Sequence, residues 1–167
     1  MNLHILLTLL RKEFLLEFRQ RYAISGSGAN IWGDHDDFHF VCKRLSGNFI
    51  VTARAHFIGD GVDAHRKFGW MVRTSLDSNS PHITTAIHGD GLTSLQFRRT
   101  QGGRTEQVIS SLTHVDIIQL ERRGNTYIMS VARFGETFST IQVADLALGE
   151  ELYVGLAVCS HNDAVVE

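Results

Sequence analysis

From Tyr22 onward, apolar and polar residues alternate with a period of two, the spacing of strands with one face buried. Between Asn48 and Ile58, Phe49, Val51, Ala53, Ala55 and Phe57 fall on one side, and Thr52, Arg54 and His56 on the other. The run from Phe38 to Leu45 places Phe38, Phe40 and Cys42 on one side. Both runs predict half-buried strands, and Ser46-Gly47-Asn48 between them predicts a hairpin turn. Further strands are expected over Lys67–Ser75, His82–His88, Leu92–Thr100, Thr105–Ile109, Val115–Arg122, Thr126–Phe134 and Leu152–His161, with glycine-bearing turns between most of them. Short strands at near-regular spacing predict an all-β sandwich or barrel. No strand–helix alternation is present, which excludes the nucleotide-binding α/β folds.

Residues 2–21 carry a different period. Leu3, Leu6, Leu7, Leu10, Phe14 and Phe18 recur at helical spacing, and Arg11, Lys12, Glu17, Arg19, Gln20 and Arg21 hold much of the remaining surface. The pattern predicts an amphipathic helix, packed on the sandwich or lying at a membrane interface. No basic residue precedes the apolar stretch and no small-residue cleavage site follows it, so a secretory signal is not indicated. A membrane span needs about 20 apolar residues, and this run is far shorter.

The 167 residues, 43% of them hydrophobic, suffice for one packed domain. Sixteen Lys and Arg against eighteen Asp and Glu give a net charge of -2, which lacks the basic excess of a generic nucleic-acid binder. Two cysteines, Cys42 and Cys159, exclude a disulfide-framework fold and leave either one bridge or two free thiols.

Two strings carry family resemblances. Ile24-Ser-Gly-Ser-Gly-Ala-Asn-Ile-Trp-Gly33, Asp37-Phe-His-Phe40, Leu45–Arg54, Gly69–Leu76 and His88-Gly-Asp-Gly-Leu-Thr-Ser-Leu-Gln-Phe-Arg98 together resemble bacterial concanavalin A-like modules that accompany TolB-like β-propellers. Gln119–Tyr127 and Tyr153–Asn162 extend the resemblance, which runs from about Tyr22 to Glu167. It implies a two-sheet antiparallel concanavalin A-like jelly roll over 22–167, with the helix expected of 1–21 standing where the family usually has a strand. It also implies a non-catalytic module for glycan or protein partners, accessory to a propeller or another periplasmic or extracellular protein. Residues 10–26 resemble the lead-in to the first membrane helix of heme exporter B-type permeases of cytochrome c maturation. There an apolar span follows, whereas here Ser27-Gly-Ala-Asn30 follows, so no transport activity carries over. Against the concanavalin A-like pattern the chain is expected to lack an edge strand at either end, and unpaired edges favour self-association.

The candidate chemistry is binding. Glycoside hydrolysis needs paired carboxylates, about 5–5.5 Å apart in a retaining enzyme. Glu106, Glu121 and Glu136 stand alone, and the adjacent Glu150 and Glu151 point to opposite faces, so no enzyme is expected. A ligand face of forked donors and a stacking ring is assigned to Arg73, His88, Gln96 and Arg98, with His65, Arg66 and Trp70 near its rim. The alternative is that Arg73 and Arg98 pair with Asp or Glu on a solvated face and Trp70 is core. Asp60, Asp63 and Asp90 offer oxygens to calcium, with turn formation as the alternative. His35 and His39, beside Asp34, Asp36 and Asp37, form a second potential donor set, set against surface and turn histidines. Peripheral membrane contact is expected only through residues 2–21.

Overall fold

A computed structural model describes residues 7–11, 14–18 and 21–166, the first two segments through their backbone. The chain is all-β and antiparallel, with no helix among the described residues. It comprises β1 (Leu7–Arg11), β2 (Phe14–Phe18), β3 (Asn30–Trp32), β4 (His35–Asp37), β5 (His39–Ser46), β6 (Phe49–Arg54), β7 (Lys67–Arg73), β8 (His82–His88), β9 (Thr93–Arg98), β10 (Glu106–Ile109), β11 (Ile117–Arg123), β12 (Thr126–Ala132), β13 (Ser139–Val143) and β14 (Glu151–Cys159). One six-stranded sheet has the order β13-β12-β11-β6-β1-β2, a second has β10-β9-β8-β7-β14-β5, and β3-β4 forms a two-stranded ribbon.

The two large sheets share one core. The period-two positions of β6, β11 and β12 supply Phe49, Val51, Ala53, Ile118, Leu120, Met129 and Val131. Facing them are Phe68, Trp70, Val72, Ile83, Ile87, Leu95, Phe97, Val154, Leu156 and Val158 from the second sheet. At roughly 1.5–3 kcal/mol for each large apolar side chain removed from water, this layer is the main source of stability.

Two expectations are corrected. The helix expected within 2–21 lies partly outside the described residues, and where its segment is described it is β-structure. β1 pairs with β2 and also with β6, in the register Thr8↔Thr52, Leu9↔Val51 and Leu10↔Ile50. Unpaired N–H and C=O groups along β6 need partners, and a run rich in leucine and phenylalanine serves a sheet as readily as a helix. The edge of β6 is therefore paired on both sides, by β1 and by β11. The second correction concerns Ser46-Gly47-Asn48, which does not close a hairpin. β5 pairs with β14 and β6 with β11 and β1, so this turn carries the chain from one sheet to the other. The local turn chemistry is the same in both cases, and only the partners of the flanking strands distinguish them.

In β7, β8 and β9 every residue is buried. One face of these strands meets the core, so something must cover the opposite, polar face. The segment from Gly26 through β3–β4 to Phe38 does so. Ile31 is fully buried against Met71, Ala157 and Cys159, with Phe38 and Phe40 alongside. Gly28 bridges Asn162 at φ +132°, and a Cβ there would stand 2.2 Å from the Asp37 carbonyl oxygen. Only glycine lets the covering segment lie that close.

Gly69 marks the tightest strand approach: a Cβ on it would lie 1.5 Å from the Thr85 carbonyl oxygen. Gly69→Ala is expected to destabilise the fold by about 3 kcal/mol, the upper end of overpacking costs. Thermal unfolding of purified variant and parent checks this, and a change below about 1 kcal/mol would contradict the close approach.

Candidate ligand cleft and its buried charge cluster

β7, β8 and β9 bring Arg73, His82 and Arg98 into one cross-strand row, through the registers Arg73↔His82 and His82↔Arg98. Alternation turns all three away from the core, toward the covering ribbon. The ribbon inserts Asp36 between them. Arg98 donates to both Asp36 oxygens in a forked pair, Nη1 to Oδ2 at 2.9 Å and Nη2 to Oδ1 at 2.7 Å. The same two nitrogens also reach the carbonyls of Ser80 at 3.1 Å and Gly33 at 3.3 Å and the Thr105 hydroxyl at 3.2 Å. Arg73 Nη2 lies 3.5 Å from Asp36 Oδ2, while Nε donates to the Ser75 carbonyl at 2.8 Å and Nη2 to that of Asp77. Its guanidinium also lies 5.1 Å from the centre of the Phe38 ring.

All four polar side chains are buried, and they carry two guanidinium groups against one carboxylate. Burial pushes the Asp36 carboxyl up, against the downward pull of Arg98 and then Arg73. Burial, followed by the charges of Arg98 and Arg73, holds His82 well below the ordinary imidazole range, so it is neutral. Its Nδ1 is 3.1 Å from Thr84 Oγ1, and its Nε2 is 3.8 Å from Asp36 Oδ1.

Beside this cluster opens a cleft of about 180 Å³, lined by Asp36, Asp37, Phe38, Phe40, Arg73, Leu76 and Ser78. Its two walls come from the β4–β5 junction and the β7–β8 loop. The cleft combines a guanidinium, carboxylate oxygens and a serine with two phenyl rings. Leu76 at its lip is 62% exposed.

The residues expected to form one ligand face do not all converge. Arg73 and Arg98 meet at the end of the face described above, and Gln96 lies two residues from Arg98 on β9, with Nε2 3.5 Å from Gln107 Oε1. His88 lies six residues from His82 along β8, roughly 20 Å at the rise of a strand. There it is cross-strand to Lys67, which is cross-strand to Cys159, and Lys67 Nζ donates to Asn30 Oδ1 at 2.6 Å. Burial lowers the Lys67 ammonium, and burial with the Lys67 charge lowers His88 to about 4. His65 and Arg66 belong to this far end: His65 is 6.3 Å from His88 ring to ring, and Arg66 Nη2 donates to the Gly59 carbonyl at 2.8 Å. Trp70 points the other way, into the core between the sheets, and shares no surface with Arg73.

The calcium expectation is not matched by the geometry. Among the described residues no group of three or more His, Cys, Asp or Glu side chains is placed to hold a metal ion. Asp63 instead accepts from the His65 N–H at 2.6 Å and lies 3.4 Å from His161 Nδ1, and Asp90 accepts from the Leu92 N–H at 2.9 Å. The donor set around His35 and His39 is dispersed likewise: Asp36 turns inward to Arg98, Asp37 accepts from the Ala29 N–H at 3.0 Å, and His35 pairs with Asp34 at the surface. Cys42 is exposed and Cys159 buried, and both thiols are free.

No family model matches the chain, and no curated protein matches it. A crystal structure of a functionally unknown protein from Saccharomyces cerevisiae is similar, with a TM-score of 0.62, 13% identity, and coverage of 93% of this chain and 88% of that one. The likeness is one of fold. It extends over nearly the whole of both chains and carries no statement about a ligand.

Sequence reasoning missed Asp36 as the partner of both arginines, and with it His82, Phe38 and Phe40. The strand pattern did hold one signal. Ser94, Gln96 and Arg98 alternate with Thr93, Leu95 and Phe97, and an arginine on the outward side of a strand, once that side is covered, demands a carboxylate from elsewhere.

Proposed function

We propose that this chain is a non-catalytic concanavalin A-like β-sandwich module that binds a glycan in the cleft between Asp37–Phe40 and Leu76–Ser78. The observation that carries the reading is the cleft's chemistry. The exposed oxygens of Asp37 and Ser78 stand beside the half-buried rings of Phe38 and Phe40 across an open, partly aromatic space. Sugar rings present hydroxyls that both donate and accept, together with apolar C–H faces. Exposed carboxylate and hydroxyl oxygens beside phenyl rings match the hydroxyls and the apolar faces. The resemblance of Ile24–Asn162 to bacterial modules beside TolB-like propellers supports an accessory role next to another extracytoplasmic unit.

A glycan array followed by calorimetry on the full chain tests the reading. Binding is expected to weaken about tenfold in Asp37→Asn, which exchanges a charged acceptor for a neutral one. A comparable effect is expected of Leu76→Ala, which removes an exposed lip residue and leaves the fold intact. Absence of binding to every saccharide, with folding verified, would overturn the proposal.

A second reading, a structural domain that docks on a protein partner without a small ligand, is favoured by one observation. Arg98 is fully buried and spends its terminal nitrogens on Asp36 and on groups of the covering ribbon and its neighbours. It acts there as an internal lock. Partner binding that persists in Asp37→Asn and Leu76→Ala would favour this second reading.

A further inference from the structure

The outward face of the second sheet is where an open sandwich would offer a long groove to a polymer. Here the chain itself occupies that face over β7, β8 and β9, where every residue is buried. At one end Lys67 holds Asn30 at 2.6 Å, and Cys159 Sγ donates to the Gly28 carbonyl at 3.2 Å. In the middle Ile31 is fully buried against Met71 and Ala157. At the other end Arg98 grips Asp36, and the Thr105 N–H donates to the Gly33 carbonyl at 2.7 Å. Lifting the ribbon would expose Ile31 and strand two buried guanidinium groups without their carboxylate, which is costly. The open space beside it is the cleft of about 180 Å³, closed at the back by the Asp36–Arg73 pair. Sites that enclose a drug-sized ligand run to about 300–1,000 Å³.

We infer that the cleft recognises one saccharide unit, a monosaccharide or the end of a glycan, and not a run of polysaccharide. This rests on the glycan reading above and adds the size class of the ligand. A groove that binds a polymer adds contacts with each unit, so its affinity climbs with chain length. A blind cleft reads one unit, and further units project into solvent.

Calorimetry and competition on the full chain decide the point. The probes are glucose, mannose, galactose, xylose and N-acetylglucosamine, each alongside its linear β-1,4-linked hexamer. The expected result is that one series binds with less than about a threefold change in molar Kd between monomer and hexamer. The monomer should also displace the hexamer, and Leu76→Ala should weaken both to the same extent. A hexamer that binds tenfold or more tightly than its monomer overturns the inference and leaves the glycan reading standing. The same holds for a hexamer that raises amide exchange across residues 30–37, since a displaced ribbon would open the long face. If neither these series nor any saccharide of the array binds, the glycan reading itself falls, and the inference with it.

Discussion

Asp36→Ala is expected to lower the unfolding free energy by about 3–5 kcal/mol, the cost of breaking a buried pair by removing one partner. Asp36 is buried with no exposed side-chain surface, and its loss leaves Arg73 and Arg98 as two uncompensated charges beneath the ribbon. Denaturant unfolding at neutral pH measures the effect. Asp36→Leu combined with Arg73→Met and Arg98→Met should recover much of the loss, because replacing a buried ionic cluster with apolar groups of similar volume is often close to neutral. Amide exchange gives the local readout: in Asp36→Ala, protection in β3 and β4 should fall before protection in β7 and β8. A loss below about 1 kcal/mol would show that the ribbon is held by Ile31 and its neighbours alone.

The second large effect is expected on acidification. His82 and His88 are buried and neutral, and each has a folded-state pKa below the unfolded value of 6.5. Above pH 6.5 neither contributes to the pH dependence of stability. As the pH falls below 6.5 the unfolded chain takes up protons that the folded chain refuses, so stability declines until the folded pKa is reached. For His88 that window runs from 6.5 down to about 4 and corresponds to about 3 kcal/mol at ~1.4 kcal/mol per pH unit. His82 adds to the decline in the same direction. Asp36, raised by burial, acts in the opposite sense, and only near and above the carboxylate pKa of 3.8. Urea unfolding at a series of pH values from 7 to 4 should show the decline, and His88→Gln should flatten it by about the His88 share. A stability that stays level from pH 7 to pH 4.5 in the parent chain would contradict the burial of both rings.

The strand pattern was legible because alternation survives wherever one face of a strand meets the core. β6, β7, β8, β9, β11, β12 and β14 each begin and end within a few residues of the limits expected from period and turn residues. β3 and β4 were not legible. Three residues each, they contain Asn, Trp, His and two Asp, and they form only because they lie across a sheet made from distant sequence. The first twenty residues misled for a related reason. Their leucines and phenylalanines satisfy a helical period, yet the partner that decides the backbone of β1 is β6, more than forty residues away.

The candidate site divides along the same line. Arg73, Gln96 and Arg98 could be placed on one polar face from alternation alone, since strand parity is local. That the face would be buried could not be read, because its cover arrives from residues 26–38 and depends on Gly28 and Ile31 fitting a surface that exists only after β7, β8, β9 and β14 have assembled. Alternation also sets Trp70 on the face of β7 opposite Arg73, and the structure adds that this face meets the other sheet. By itself, then, the sequence determined the β-rich class of the body, the positions of β5 to β12 and of β14, and the parity of their polar residues, all consequences of neighbour-to-neighbour geometry. The tertiary structure alone decided that Asp36 neutralises one of two buried arginines, that His65, Arg66 and His88 lie at the opposite end of the face, and that a small cleft opens beside the buried cluster. Each depends on where separate segments meet, because the energy of a buried charge is set by the distance to its partner and not by either residue's neighbours in the chain.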